Sequence, residues 1–99
     1  PLYYHNISAQ MKAVIDRYHG IDDLIRHKPQ KVLSIITAAY TEDWVFDGVK
    51  AVIKTTTRYL GWKDCGGIYA FDCYKREDIE KTTYPKKAFE LGTHIKEID

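Results

Sequence analysis

Residues 31–37 read Lys-Val-Leu-Ser-Ile-Ile-Thr (KVLSIIT). The apolar residues run on instead of alternating with polar ones, the pattern of a strand covered on both faces. Thr37-Ala38-Ala39-Tyr40 then leaves the strand as a loop of small residues. Thr41 stands where a helix cap would, with Glu42 and Asp43 placed to favour the helix dipole. Val45, Val49, Val52, Ile53, Thr56 and Leu60 form one apolar stripe. Gly48 weakens this helix by up to about 1 kcal/mol relative to Ala, unless something packs closely against it. Gly61 ends the helix. Trp62 to Gly67 leads into a second strand, Ile68–Cys73. Two strands joined by a helix of about 20 residues predict a parallel pair with a right-handed crossover.

Working outward toward the amino end, Pro1–Arg17 reads PLYYHNISAQMKAVIDR. A loop with two tyrosines delivers the chain to Ser8, whose hydroxyl oxygen can accept from a free N–H of the first helical turn. Met11, Val14, Ile15 and Tyr18 recur at helical spacing, with Lys12, Asp16 and Arg17 on the polar side. Gly20 reads as the helix stop and residues 21–30 as a surface connection, with Leu24-Ile25 tacking it to the core. Toward the carboxyl end, Tyr74 to Thr83 reads as a charged loop or frayed turn. Pro85 suits the first turn of a last helix, whose face carries Tyr84, Ala88, Leu91 and Ile95. Lys96 to Asp99 reads as a fraying end. The predicted order is helix, strand, helix, strand, helix: an α/β chain of parallel strands.

The 99 residues make one domain. Net charge is +1, which gives no electrostatic case for nucleic acid or an anionic membrane surface. No apolar run approaches the roughly 20 residues that span a bilayer. Cys65 and Cys73 lack a CxxC pattern and read as free thiols, which fits a cytoplasmic compartment. Two strands are few for a sheet of this kind, and the first is left with a bare edge. Another copy of the chain, or sequence upstream of Pro1, is expected to pair with it.

No GxGxxG, P-loop, HExxH or GxSxG pattern occurs. His5, His19, His27 and His94 are scattered, and only His5 lies in a loop of interest. No metal site and no catalytic acid, base or nucleophile is read from the chain; capping accounts for Ser8. Two loop-to-helix junctions remain, Pro1–Ser8 and Thr37–Thr41. In open α/β sheets ligands bind outside the carboxyl ends of the strands, and both junctions belong on that edge. Tyr3, Tyr4 and Tyr40 can stack on a flat ring system there, or Tyr3 and Tyr4 can simply plug the edge of the core.

The opening pattern P-L-Y-Y-x-x-x-S-A-Q-x-K-A-x-I-D-R resembles the motif after the third strand in flavodoxin-like NAD(P)H-dependent FMN reductases and related multimeric flavoproteins. Val32–Thr37 is similar to their fourth strand. Leu60-Gly61-Trp62 with Gly67–Cys73 resembles the approach to their fifth, and Ala88-Phe89-Glu90-Leu91-Gly92 their last helix. The resemblance implies the C-terminal half of a flavodoxin-like three-layer αβα sandwich, whose parallel strands run in the order 2-1-3-4-5. Residues 1–99 would then be a single partial domain, with the first three strands and the phosphate-binding loop not among them. It further implies that Pro1, Leu2, Tyr3, Tyr4, Asn6, Ile7 and Ser8 contact the flavin ring of FMN, and that Thr37, Ala38, Ala39 and Tyr40 flank it. The second loop lacks the glycine pair common in part of the family. The implied activity is hydride transfer from NAD(P)H to the flavin and on to a small-molecule electron acceptor, in a homo-oligomer, with little activity for these 99 residues alone. A non-enzymatic electron carrier is the alternative, although short-chain flavodoxins are strongly acidic and this chain is not. A self-associating module that uses the open strand edge is another.

Overall fold

A computed structural model describes residues 1–97. It is an α/β fold built on a two-stranded parallel sheet. The helices are α1 (Ala9–Asp16), α2 (Asp22–Ile25), α3 (Asp47–Leu60), α4 (Arg76–Glu80) and α5 (Tyr84–Thr93); the strands are β1 (Lys31–Thr37) and β2 (Lys63–Ala70). The β1–α3–β2 unit supplies the core, as the apolar patterns anticipate. Val45, Phe46, Val49, Leu60, Ala38 and Ala70 are buried. Phe46 packs its ring on Tyr69 at a centroid distance of 5.5 Å.

Several expectations need correction. Thr41 caps nothing. The segment after it opens with a 3-10 turn, Asp43–Phe46, preceded by Glu42 without a side-chain cap, and the α-helix starts only at Asp47. With that tighter turn Phe46, a residue outside the proposed stripe, is fully buried alongside Val49. Val52, Ile53 and Thr56 are half-buried, whereas Thr57 is buried and returns its hydroxyl to the Ile53 carbonyl at 2.9 Å. The second strand begins at Lys63 rather than Ile68 and ends at Ala70 rather than Cys73. A bulge hides the early start. Val32 pairs with Asp64 and Ser34 with Gly67, so β2 spends one residue more than β1 over that span. Gly66 takes φ of 84° and donates its N–H to the Asp64 carboxylate at 2.9 Å. Gly67 lies so close to the Ser34 carbonyl that any side chain there would overlap it.

The amino-terminal helix is shorter than its stripe suggests. It yields to a 3-10 turn over Arg17–Ile21, so Gly20 lies inside a turn instead of ending the helix. Residues 21–30 contain α2, not only loop. Ile25 does anchor this stretch, its carbonyl accepting from Trp62 Nε1 at 2.9 Å. Leu24 does not, being 64% exposed. Met11 and Val14 are exposed as well, Met11 on an apolar groove that it shares with β1. The charged stretch after β2 holds a real turn of helix, α4, whose first turn is fixed by Asp78 accepting from the N–H groups of Tyr74 and Lys75. Pro85 sits in the first turn of α5, and Tyr84, Ala88, Leu91 and Ile95 are all half-buried, as read from their spacing. Of the fraying end, Ile98 and Asp99 lie outside the described residues; Ile95–Glu97 forms a 3-10 turn.

β1 is covered less fully than its apolar run implies, and Ile35 is 67% exposed. One backbone edge of the strand is also open. Ala38 bonds toward β2, donating to Ala70 and accepting from Cys73, while the Thr37 carbonyl turns the other way and accepts from Leu2 N–H at 2.7 Å. Successive strand residues aim their backbone groups to opposite sides. Lys31, Leu33, Ile35 and Thr37 therefore face the open edge. Beside it runs an apolar groove of about 420 Å³ between α1, β1 and α3. No described helix is long and apolar enough to cross a membrane.

Candidate functional site

The loops before α1 and after β1 are far apart in sequence but adjacent in space. The bond from Leu2 N–H to the Thr37 carbonyl joins them at the carboxyl end of β1. There they frame an open concavity of about 540 Å³, lined by Leu2, Tyr4, His5, Ala38, Ala39, Tyr40, Trp44 and Val45. This is the edge of an α/β sheet where ligands settle, since the strands end there and the loops diverge.

The first wall is a tight turn. Tyr3 donates to the Asn6 carbonyl at 2.9 Å and Asn6 returns a bond to Tyr3 at 3.1 Å. Between them Tyr4 and His5 take φ values of 44° and 69°. Two consecutive positive φ angles are the signature of a type I′ turn, which asparagine and glycine normally occupy. A tyrosine and a histidine held there store backbone strain, and such strain clusters at functional sites. The second wall is aromatic. Trp44 stacks on His5 with centroids 5.6 Å apart and planes 26° from parallel, and Tyr40 meets Trp44 edge-on at 5.8 Å. Trp44 Nε1 donates to Glu42 at 3.3 Å, which keeps its polar tip satisfied at the rim.

Among the described residues, the backbone N–H groups of Tyr4, His5, Ala39 and Tyr40 have no protein acceptor. A mostly apolar concavity with a few free donors suits a planar ring carrying carbonyl or ring-nitrogen acceptors. A flavin ring has that chemistry, so the lining fits one. Nothing here is built to hold a phosphate: no glycine-rich loop, lysine or arginine lines the concavity.

The structure divides the sequence-predicted site residues. Leu2, Tyr4, Ala38, Ala39 and Tyr40 share this concavity. Pro1, Ile7 and Ser8 line the groove beside β1 instead. Ser8 is used as a cap, its hydroxyl accepting from Met11 N–H at 3.1 Å. Asn6 is used locally, its side-chain oxygen accepting from Ile7 N–H at 2.8 Å. Thr37 contributes the carbonyl that ties the loops, and Tyr3 is 57% exposed and lines neither cavity. Three lining residues were not in the predicted set: His5, Trp44 and Val45, the last expected only in the buried stripe. His5 was singled out only for its loop. Trp44 was missed, although an aromatic residue four after Tyr40 at the start of a helical segment was a usable signal.

The other reactive groups lie elsewhere. Cys65 and Cys73 are free thiols. Burial, with Asp78 and Asp72 nearby, pushes the Cys73 thiol above its ordinary value, which makes it a poor nucleophile at neutral pH. No cluster of metal-ligating side chains occurs among the described residues. Comparison with known proteins finds no matching family model, no matching curated protein and no matching solved structure.

Proposed function

We propose that this chain carries one wall of the FMN site of a flavodoxin-like NAD(P)H-dependent oxidoreductase, within the C-terminal half of a three-layer αβα sandwich. The single observation that supports it best is the meeting of the two loops at the carboxyl end of β1, joined by Leu2 and Thr37, with aromatic side chains and free N–H groups around one concavity. The likeness of the Pro1–Arg17 pattern to the family motif adds to it. In this reading Tyr4, Tyr40 and Trp44 bound the plane of the ring, and the free N–H groups of the Tyr4–His5 turn and of Ala39 and Tyr40 orient its polar edge. When bound, the flavin supplies the hydride acceptor for NAD(P)H and passes electrons to a small-molecule acceptor. The protein's part is to orient the ring and exclude water from one face. It needs no acid or base, and the concavity offers none but His5.

A two-stranded sheet with a bare edge and no phosphate cradle holds only the ring. The 99-residue chain should therefore bind riboflavin and FMN weakly and about equally, and should show little turnover. Titration of each into labelled protein, followed by amide shifts, tests this. Saturable shifts confined to residues 2–5 and 38–44, equal for both ligands, support the reading. Shifts elsewhere, or none at millimolar ligand, overturn it. An FMN affinity far above that of riboflavin would overturn the absence of a phosphate subsite.

A second reading is that the chain is a self-associating, non-enzymatic module. The open backbone edge of β1 favours it, because such edges recruit another strand. Light scattering on the purified chain discriminates, since a clean monomer removes this reading.

A further inference from the structure

The turn at Tyr4-His5 is strained, yet only the Tyr3–Asn6 pair closes it from within. A two-residue turn of unfavourable composition relaxes unless its surroundings over-determine it. Two contacts do so, one from the 3-10 turn at Asp43–Phe46 and one from α3. The Trp44 ring lies against the His5 ring at 5.6 Å. Gly48, in the first turn of α3, lets the His5 carbonyl come close: a Cβ built at Gly48 would stand 3.0 Å from that oxygen and 3.8 Å from His5 Cβ. Gly48 is exposed and costs helix stability, so the turn's approach is the local reason for glycine there. The clamp acts on both ends of one residue, ring and carbonyl.

We propose that Trp44 and Gly48 are positioning residues for the candidate site. They hold the Tyr4–His5 turn in its positive-φ form and so set the wall that a ring ligand meets. The ligand half of this inference rests on the proposed ring site; the conformational half does not.

The test uses the 99-residue chain with Gly48→Ala, Trp44→Leu and Trp44→Phe. The ligand-free readout is the strong intraresidue N–H to Hα Overhauser contact that positive φ produces at Tyr4 and His5. The ligand readout is riboflavin affinity, and the control is thermal melting. Gly48→Ala should melt at the same temperature or higher, because alanine favours the helix. It should nonetheless weaken the positive-φ signature and cut riboflavin affinity by about five- to tenfold. Trp44→Leu should do the same, while Trp44→Phe keeps the stack and stays within about twofold of the parent. A merely structural glycine would move melting and binding together. If Gly48→Ala and Trp44→Leu both retain the positive-φ signature at Tyr4 and His5, the clamp is overturned. If the parent binds no riboflavin, the ring site fails while the clamp is still judged on that signature.

Discussion

At the residue scale, the tightest constraint in the molecule is Gly67. A side chain there meets the Ser34 backbone across the ladder, where nothing can swing aside. Gly67→Ala is expected to cost about 3 kcal/mol, read as a drop in urea midpoint. Phe46 is its counterpart in the core. It is fully buried, whereas Phe89 is 73% exposed. Phe46→Ala should cost about 3–5 kcal/mol, a large share of the roughly 5–15 kcal/mol that small domains hold, read as a large drop in urea midpoint. Phe89→Ala should stay within about 0.5 kcal/mol of the parent. Cys73 follows from its surroundings in the same way. With its thiol pushed up by burial and by Asp78 and Asp72, alkylation by iodoacetamide should be slow at neutral pH and accelerate well into the alkaline range.

At the scale of elements, α4 depends on one carboxylate. The Lys75 N–H, and then the Tyr74 N–H with the charges of Lys81 and Lys75, hold Asp78 below its ordinary value of 3.8, against an opposing effect of desolvation. A carboxyl whose folded pKa lies below its unfolded value adds stability above the unfolded value. That stability is lost as pH falls through the folded value. The amides of Tyr74 and Lys75 should therefore keep their native shifts through mildly acid pH and move only below the ordinary carboxylate range. Asp78→Asn should abolish this acid transition. β1 carries the other prediction at this scale. Leu33 and Ile35 present their N–H groups to the open edge, so any self-association through that edge must cover them. Ile35→Lys replaces a largely exposed side chain and should change stability by no more than about 0.5 kcal/mol. It should also return associated chain to monomer, because a charge on an edge strand opposes pairing.

At the scale of the whole molecule, the exposed stripe on α1, the groove of about 420 Å³ and the bare edge of β1 lie together. They form one apolar, thinly covered side beside the β1–α3–β2 unit. The candidate site sits where these two parts meet, at the Leu2–Thr37 bond. Ligand binding and the stability of the amino-terminal segment should therefore be coupled. Riboflavin is expected to slow hydrogen exchange in the turn at residues 2–5 as well as in the loop after β1, and exchange measured by mass spectrometry reads this directly.

Local chemistry made α1, α3, α5, β1 and the parallel crossover legible from the sequence alone, because apolar spacing, Ser8, Gly61 and Pro85 act within a few residues, whereas α2 and α4 read only as connections. It also placed both loops on one edge. The tertiary structure decided the rest. The bulge at Gly66 and Gly67 moved the start of β2, since a register depends on the partner strand and not on the strand's own pattern. The 3-10 turn at Asp43–Phe46 brought Phe46 into the core beside Val45. Trp44 and Gly48 acquired their places at the site only when Tyr4-His5 folded against them, a contact spanning about forty residues that no local spacing encodes.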